Sequence, residues 1–315
     1  MIENLLVALN AVIPMFFIIG LGYYIRLKKM VDEPELRKFN NFAFRIFLPC
    51  QLFKNVFDSE LQDTINLKLM VFTICCVLFI YTLAFAGVLL IEKKANRRGV
   101  MIQSIFRSNF VLLGIPLVTS IYSVEQLGAV PVMVAIIVPL FNILAVITLE
   151  IFRNSQVNIR RILKGIIKNP LILGSMIGLL AKWVQFPFYE ITVISTTISY
   201  LAQIATPLML FILGASFHFS SIRSTKKQLI FCCTGKLLIS PAIAFFLAKC
   251  IGLQGIELAV LLGVFASPPA ANSYNMAQQM GGDADLAANL VVVGTAAACI
   301  TLFGWILILK QFGMM

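Results

Sequence analysis

Two stretches, Ser108-Asn109-Phe110-Val111-Leu112-Leu113-Gly114-Ile115-Pro116 and Ala266-Ser267-Pro268-Pro269-Ala270-Ala271-Asn272, decide how this chain is read. Each lies inside a segment otherwise apolar enough to cross a bilayer, and each carries helix breakers with hydroxyls and amides beside them. A break at that depth frees backbone N–H and C=O groups that hydrocarbon cannot satisfy. It persists only inside protein or beside a watery cavity. A pair of interrupted apolar segments in corresponding places of two halves points to the binding site of a secondary carrier. The rest of the chain then reads as the frame around two broken helices.

Composition sets the class. Of 315 residues, 60% are hydrophobic and 12% charged, and the mean hydropathy is +0.94. A soluble domain is roughly 45–50% apolar and about 25% charged, so this much apolar surface calls for lipid. The net charge of +11 sits in short loops between apolar runs, the pattern of cytoplasmic loops rather than of a nucleic-acid partner. Glu3 precedes the first apolar run and no Ala-x-Ala site follows, so that run is expected to stay as a membrane helix. Seven cysteines (50, 75, 76, 232, 233, 250, 299) all fall in apolar segments, with no zinc-like spacing, and read as small buried hydrophobes.

Ten apolar segments of about 20 residues, the length that spans about 30 Å of hydrocarbon, follow one another. They run from about Leu5 to Tyr24, Phe39 to Phe57, Leu67 to Ile91, Gly99 to Tyr122 and onward to Phe152. The second five run from Pro170 to Val184, Ile191 to Phe217, Leu229 to Ile251, Ile256 to Met280 and Leu286 to Leu309. Loops 1–2, 3–4, 5–6 and 7–8 are basic, while the intervening loops are acidic (Asp58, Glu60, Asp63; Glu125) or sparse. Positive-inside reasoning places the basic loops in the cytoplasm and both termini outside. A multi-pass protein of the plasma membrane is expected.

The halves repeat. Cys75-Cys76 recurs as Cys232-Cys233, an offset of 157; Pro49 within Leu48–Phe53 meets Pro207 within Thr206–Phe211, an offset of 158; and Phe106 and Leu127 meet Phe265 and Leu286, an offset of 159. A near-constant offset over three helices marks an internal duplication. Five helices is an odd number, so the second copy enters the membrane from the opposite side. The expected architecture is all-α: residues 1–152 as a first five-helix inverted repeat, 153–168 as a basic cytoplasmic linker, and 169–315 as a second repeat.

Asn109-x-x-x-x-Gly114-Ile115-Pro116-Leu117, Ala266-x-Pro268 with Ala277 and Leu286, Pro14, and Leu48-Pro49 together resemble the auxin-efflux-carrier family of plant auxin carriers and bacterial malate and malonate permeases. The resemblance spans the whole chain. It implies a fold like that of bile-acid sodium symporters and sodium/proton antiporters. In that fold, helices four and nine cross near mid-membrane in a transport domain, beside a scaffold domain that can dimerise. It also implies organic-anion substrates moved by elevator-type alternating access. One departure is visible: Ser108 stands where plant relatives usually have a proline, so the first break is expected later, at Gly114 and Pro116. The second is expected at Pro268 and Pro269.

Half-helix N-termini turn unsatisfied N–H groups and a positive dipole end toward a ligand, and two of them at mid-membrane suit a carboxylate. Asn109 and Asn272 would add amide donors, with Ser108 and Ser267 as supporting hydroxyls. Asn142 faces the same region in the fold that the resemblance implies. Each asparagine could instead make an interhelical bond that merely holds the bundle. Arg107 could pair bidentately with a carboxylate, or snorkel to the interface about two turns away. Arg45 and Lys236 are further intramembrane candidates. Lys54, Lys182 and Lys249 read as interfacial, and His218 as a solvated helix end.

Almost no carboxylate lies deep in a helix, which argues against coupling through a buried acid and leaves simple uniport or anion exchange open beside sodium binding by unwound carbonyls. One histidine, no HExxH and no pair of membrane aspartates argue against an intramembrane enzyme, and no cofactor is implied. The absence of GxxxxGK[ST] excludes ATP-driven transport within the chain. A carrier of a small mono- or dicarboxylate is the reading. A channel-like or sensor protein on the same fold, or a sodium-coupled carrier of another solute, are the alternatives.

Overall fold

The computed structural model describes residues 2–59, 66–122, 129–153 and 159–312. The described residues are overwhelmingly helical, with no strand among them. The helices are α1 (Ile2–Leu27), α2 (Glu33–Phe42), α3 (Leu48–Phe57), α4 (Leu67–Ile91), α5 (Ala95–Phe106), α6 (Ile115–Ile121), α7 (Ala129–Phe152), α8 (Ile159–Ile167), α9 (Pro170–Trp183), α10 (Thr192–Ser216), α11 (Phe219–Ser224), α12 (Lys226–Thr234), α13 (Ser240–Cys250), α14 (Ile256–Phe265), α15 (Asn272–Gln279) and α16 (Ala284–Gln311). Among the described residues, six stretches are long and apolar enough to cross a membrane, and Val12–Leu27, Pro170–Trp183 and Ile256–Phe265 form shorter apolar helices. The acidic loop residues Glu60, Asp63 and Glu125 lie outside the described residues.

Local chemistry sets the ends. Asp32 and Glu35 form a capping box, each side chain taking the other's backbone N–H, which starts α2 at Glu33, earlier than the apolar run at Phe39 suggests. Asn66, Asn169 and Asp283 cap α4, α9 and α16. Three five-residue π turns, Ala43–Phe47, Phe110–Gly114 and Gly235–Ile239, each end two residues before a proline: Pro49, Pro116 and Pro241. Proline lacks an N–H and its ring crowds the carbonyl four residues back, and the wider turn moves that carbonyl aside. At Pro241 the displaced carbonyl is that of Leu237, and it accepts from the indole N–H of Trp305 at 2.8 Å.

The surface is the inverse of a soluble protein's. Large apolar side chains such as Phe17, Leu90, Trp183, Val193 and Ile300 face outward, three-quarters or more exposed, while α14 is buried from Leu258 to Phe265. α1 packs along α10, and α9 and α10 pack along α3. α4 and α7 pack on α5, and α12 and α16 pack on each other and on α5. Small residues allow the closest approaches. A Cβ on Gly214 would lie 1.9 Å from the Ile19 carbonyl oxygen, and Cβ atoms on Gly174 and Gly178 would lie 2.5 and 2.8 Å from those of Pro49 and Phe53.

Candidate functional site

Two helices come apart at the centre of the bundle. α5 ends at Phe106 and residues 107–109 are non-helical; the chain resumes as the Phe110–Gly114 π turn and α6. α14 ends at Phe265, residues 266–271 are non-helical, and α15 starts at Asn272. The two breaks meet through the main chain, the Asn109 N–H donating to the Pro268 carbonyl at 2.8 Å. Pro268 and Pro269 lie in the second gap. The first break is not at Gly114 and Pro116, as the sequence suggested, but at Arg107, Ser108 and Asn109. The reason lies in the partners: Asn109 finds its backbone bond in the second gap, while its carbonyl accepts from Leu113 at 3.0 Å and starts the next turn. Gly114 instead serves the crossing, since a Cβ there would sit 2.6 Å from the Gly263 carbonyl oxygen. Pro116 follows the π turn.

Arg107 is 3% exposed. Its Nη2 donates to Asn142 Oδ1 at 2.6 Å and its Nη1 lies 2.7 Å from Met276 Sδ. Among the described residues no carboxylate reaches it. Because the guanidinium fixes the Asn142 carbonyl, the amide's Nδ2 is turned away, and it has no partner. Asn109 Nδ2, the Ser108 and Ser267 hydroxyls and Asn272 Oδ1 are likewise buried without partners. Buried polar groups are ordinarily satisfied, and these unpaired groups are concentrated around the two breaks.

Arg107, Ser108, Asn109, Asn142 and Asn272 all line one cavity of about 60 Å³, room for a few water molecules. Ser267 is fully buried in the gap but does not line it. The facing wall supplies residues that sequence reasoning missed: Gln51 and Asn55 on α3 and Thr206 on α10, with Gln51 Nε2 donating to Thr206 Oγ1 at 2.6 Å. Thr206 precedes Pro207 and Gln51 follows Pro49 by two residues, but neither stretch announces a wall of the cavity.

α15 leads from this cavity toward a larger one of about 680 Å³, lined by Arg26, Arg37, His218, Tyr274, Gln278 and Asp285 among others. Asn40 on α2 donates to the Asn275 carbonyl and to Gln278 Oε1 and accepts from Asn275 Nδ2, and Gln278 Nε2 donates to the Tyr274 hydroxyl at 2.9 Å. His218 starts α11 and lies 3.8 Å from Asp285. Lys54 pairs with Asp58, Lys182 with the Phe57 carbonyl and Ser59, and Lys249 stands over the Phe312 ring. Lys236 is fully buried, its Nζ without a partner among the described residues. Arg45 is exposed and stands apart from the crossover cavity. The cysteines are free.

At the end of α4, Glu92 accepts from the Lys94 N–H at 2.9 Å and from Gln228 Nε2 at 2.7 Å. Burial alone would push its carboxyl up, but these bonds and the nearby Arg97 outweigh it and hold it below the usual carboxylate range.

Comparison with known proteins points to membrane transport. A family model described as membrane transport protein matches residues 7–306. An uncharacterized transporter of Methanocaldococcus jannaschii is 24% identical over 314 residues, covering 96% of this chain and 100% of the relative. Another uncharacterized transporter, of Methanothermobacter thermautotrophicus, is 21% identical over 309 residues, covering 95% and 98%.

Proposed function

The chain belongs to the membrane transport protein family, the auxin-efflux-carrier family its motifs resemble, and from that premise we propose that it carries a small organic anion, a mono- or dicarboxylate. The observation that carries this reading is Arg107: a buried guanidinium with no carboxylate partner, on a cavity where the Asn109 and Asn142 amide nitrogens also lack acceptors. A carboxylate would complete all three. An uncompensated buried cation is costly, and charge-assisted bonds to a bound carboxylate would offset that cost. Among the described residues no acidic side chain lines this cavity, so uniport or anion exchange suits it better than coupling through a carboxylate there.

The proposed architecture is ten spans in two inverted five-helix repeats. In span order α1 is the first, α2 with α3 the second, α9 the sixth and α10 the seventh. Exchanging the repeats turns the packing of α1 on α10 into that of α9 on α3, and both pairs are present and use glycines at their contacts. These four spans would form the scaffold, and the elements around the crossover the moving block of an elevator.

The test is thermal unfolding of the purified protein against a panel of carboxylates, with and without sodium. A ligand at about a hundredfold its Kd stabilises the native state by about 2.7 kcal/mol. A carboxylate should raise the melting temperature of the wild type and not of Asn109→Ala, and should drive counterflow in proteoliposomes. Stabilisation by cations or neutral solutes alone would sink the anion reading.

A further inference from the structure

Two adjoining cavities open at the basic face, away from the crossover. One, about 580 Å³, is lined by Arg37, Lys38, Asn41 and Arg45 and by Gln278 and Gln279 of α15, with no carboxylate in its wall among the described residues. The other, about 560 Å³, is lined by Arg45, Arg153, Lys168, Asn169 and Glu150 among others. Glu150 is engaged by Arg153 at 3.0 Å. Arg45, common to both cavities, and Lys168 are exposed and meet no carboxylate among the described residues.

Unpaired surface cations are ordinarily just hydrated. Here their neighbours argue otherwise. Phe42 and Ile46 bracket Arg45 and are 52% and 43% exposed, and on α8 Leu163 and Ile167 precede Lys168 at 53% and 67%. The α8 sequence, Ile159-Arg160-Arg161-Ile162-Leu163-Lys164-Gly165-Ile166-Ile167, alternates basic and apolar residues at helical spacing, the pattern of a helix lying in a membrane interface. Phosphate over aliphatic chain is the matching chemistry, and basic pockets between membrane helices take anionic headgroups. Two details of the wall fit such a guest. The N-terminus of α9, with Asn169 as its cap and Pro170 in its first turn, adds a positive dipole end. Asn41 Oδ1, buried and unpaired, can accept from a headgroup hydroxyl or ammonium.

We propose that these joined cavities bind a phosphate group, that of an anionic phospholipid headgroup, with Arg45 and Lys168 as its charge partners. The site does not depend on what the crossover carries. Gln279 and Met280, at the end of α15, also wall it, so the bound lipid would touch the same helix that bears Asn272.

The full chain in nonionic detergent is titrated with short-chain phosphatidylglycerol, phosphatidylcholine and inorganic phosphate, with the melting temperature as readout. Phosphatidylglycerol should stabilise the wild type and Asn109→Ala alike, and phosphatidylcholine neither. The Arg45→Gln/Lys168→Gln variant should need on the order of tenfold more phosphatidylglycerol or beyond, and Arg45→Gln alone a smaller excess. Both substitutions are on exposed side chains, and their unliganded melting temperatures should match the wild type; Arg45→Gln alone decides if the double variant does not fold. If inorganic phosphate reproduces the shift with the same dependence on Arg45, the site stands with a soluble phosphate as its ligand. Equal responses to the two lipids, or a phosphatidylglycerol response unchanged in the variants, would overturn the proposal.

Discussion

A guanidinium at 3% exposure with no acid beside it among the described residues is a costly placement, and its partner Asn142 offers a way to measure that cost. Removing that partner alone leaves a charged donor unsatisfied, so Asn142→Leu should lose about 1.5–3 kcal/mol of stability. Replacing both ends, Arg107→Met with Asn142→Leu, should restore melting to at least the wild-type value while abolishing stabilisation by carboxylate. If Arg107 only braced the bundle, the double variant would melt lowest and the ligand response would survive in whatever folded. Glu92 gives a pH prediction of definite sign. Its folded carboxyl titrates below its unfolded one, so its contribution is present above the ordinary carboxylate range and disappears as pH falls through the folded value. Glu92→Gln should therefore melt below the wild type at neutral pH, and the gap should close in strong acid. Asn142 could be picked out in the sequence because it is polar among apolar neighbours, and Arg107, Asn109 and Asn272 because they stand in or beside the two interrupted segments. Gln51 and Thr206 could not, since neither interrupts its helix and only the packing of α3 on α10 brings them to the cavity.

Helices were read largely from apolar runs, and α4 begins and ends where those runs do. The start of α2 depends on Asp32 and Glu35 instead, a capping box visible in the sequence but outside any apolar stretch. The first break is the harder case. Gly114 and Pro116 are the residues that conventionally stop a helix, yet the chain winds through both, because the π turn accommodates Pro116 and the opposing chain at Gly263 requires Gly114 to be bare. A partner from another part of the chain, the Pro268 carbonyl, opens the helix at Asn109, and no local propensity announces it. The two crossing glycines differ in a testable way. A Cβ on Gly114 would meet the Gly263 carbonyl oxygen at 2.6 Å, whereas one on Gly263 would stand 3.1 Å from that of Gly114. Gly114→Ala should cost about 1–3 kcal/mol and most transport, Gly263→Ala less of both. Gly304, with open space around it, is the control: Gly304→Ala should hold or raise the melting temperature through helix propensity alone.

Across the molecule, the glycine-lined contacts of α1 with α10 and of α3 with α9 are close backbone packings, whereas α2 meets α15 through the side-chain bonds of Asn40. Close backbone packing resists sliding and a few side-chain bonds can be exchanged, so relative movement is expected at the second kind of contact. With the native cysteines replaced, a disulfide between cysteines at 40 and 278 should stop transport until reduced, and one joining α1 to α10 should leave it running. Uptake into proteoliposomes before and after reductant reads both; equal inhibition would remove the case for two blocks. The hydrogen bond from Asn109 to Pro268 has a different consequence, one for descent. It joins two peptide groups, so every residue type except proline at position 109 can supply its half. Substitutions of the side chains around the cavity would then leave this joint intact, so on the proposed reading a lineage would be able to change its cargo without rebuilding the crossing.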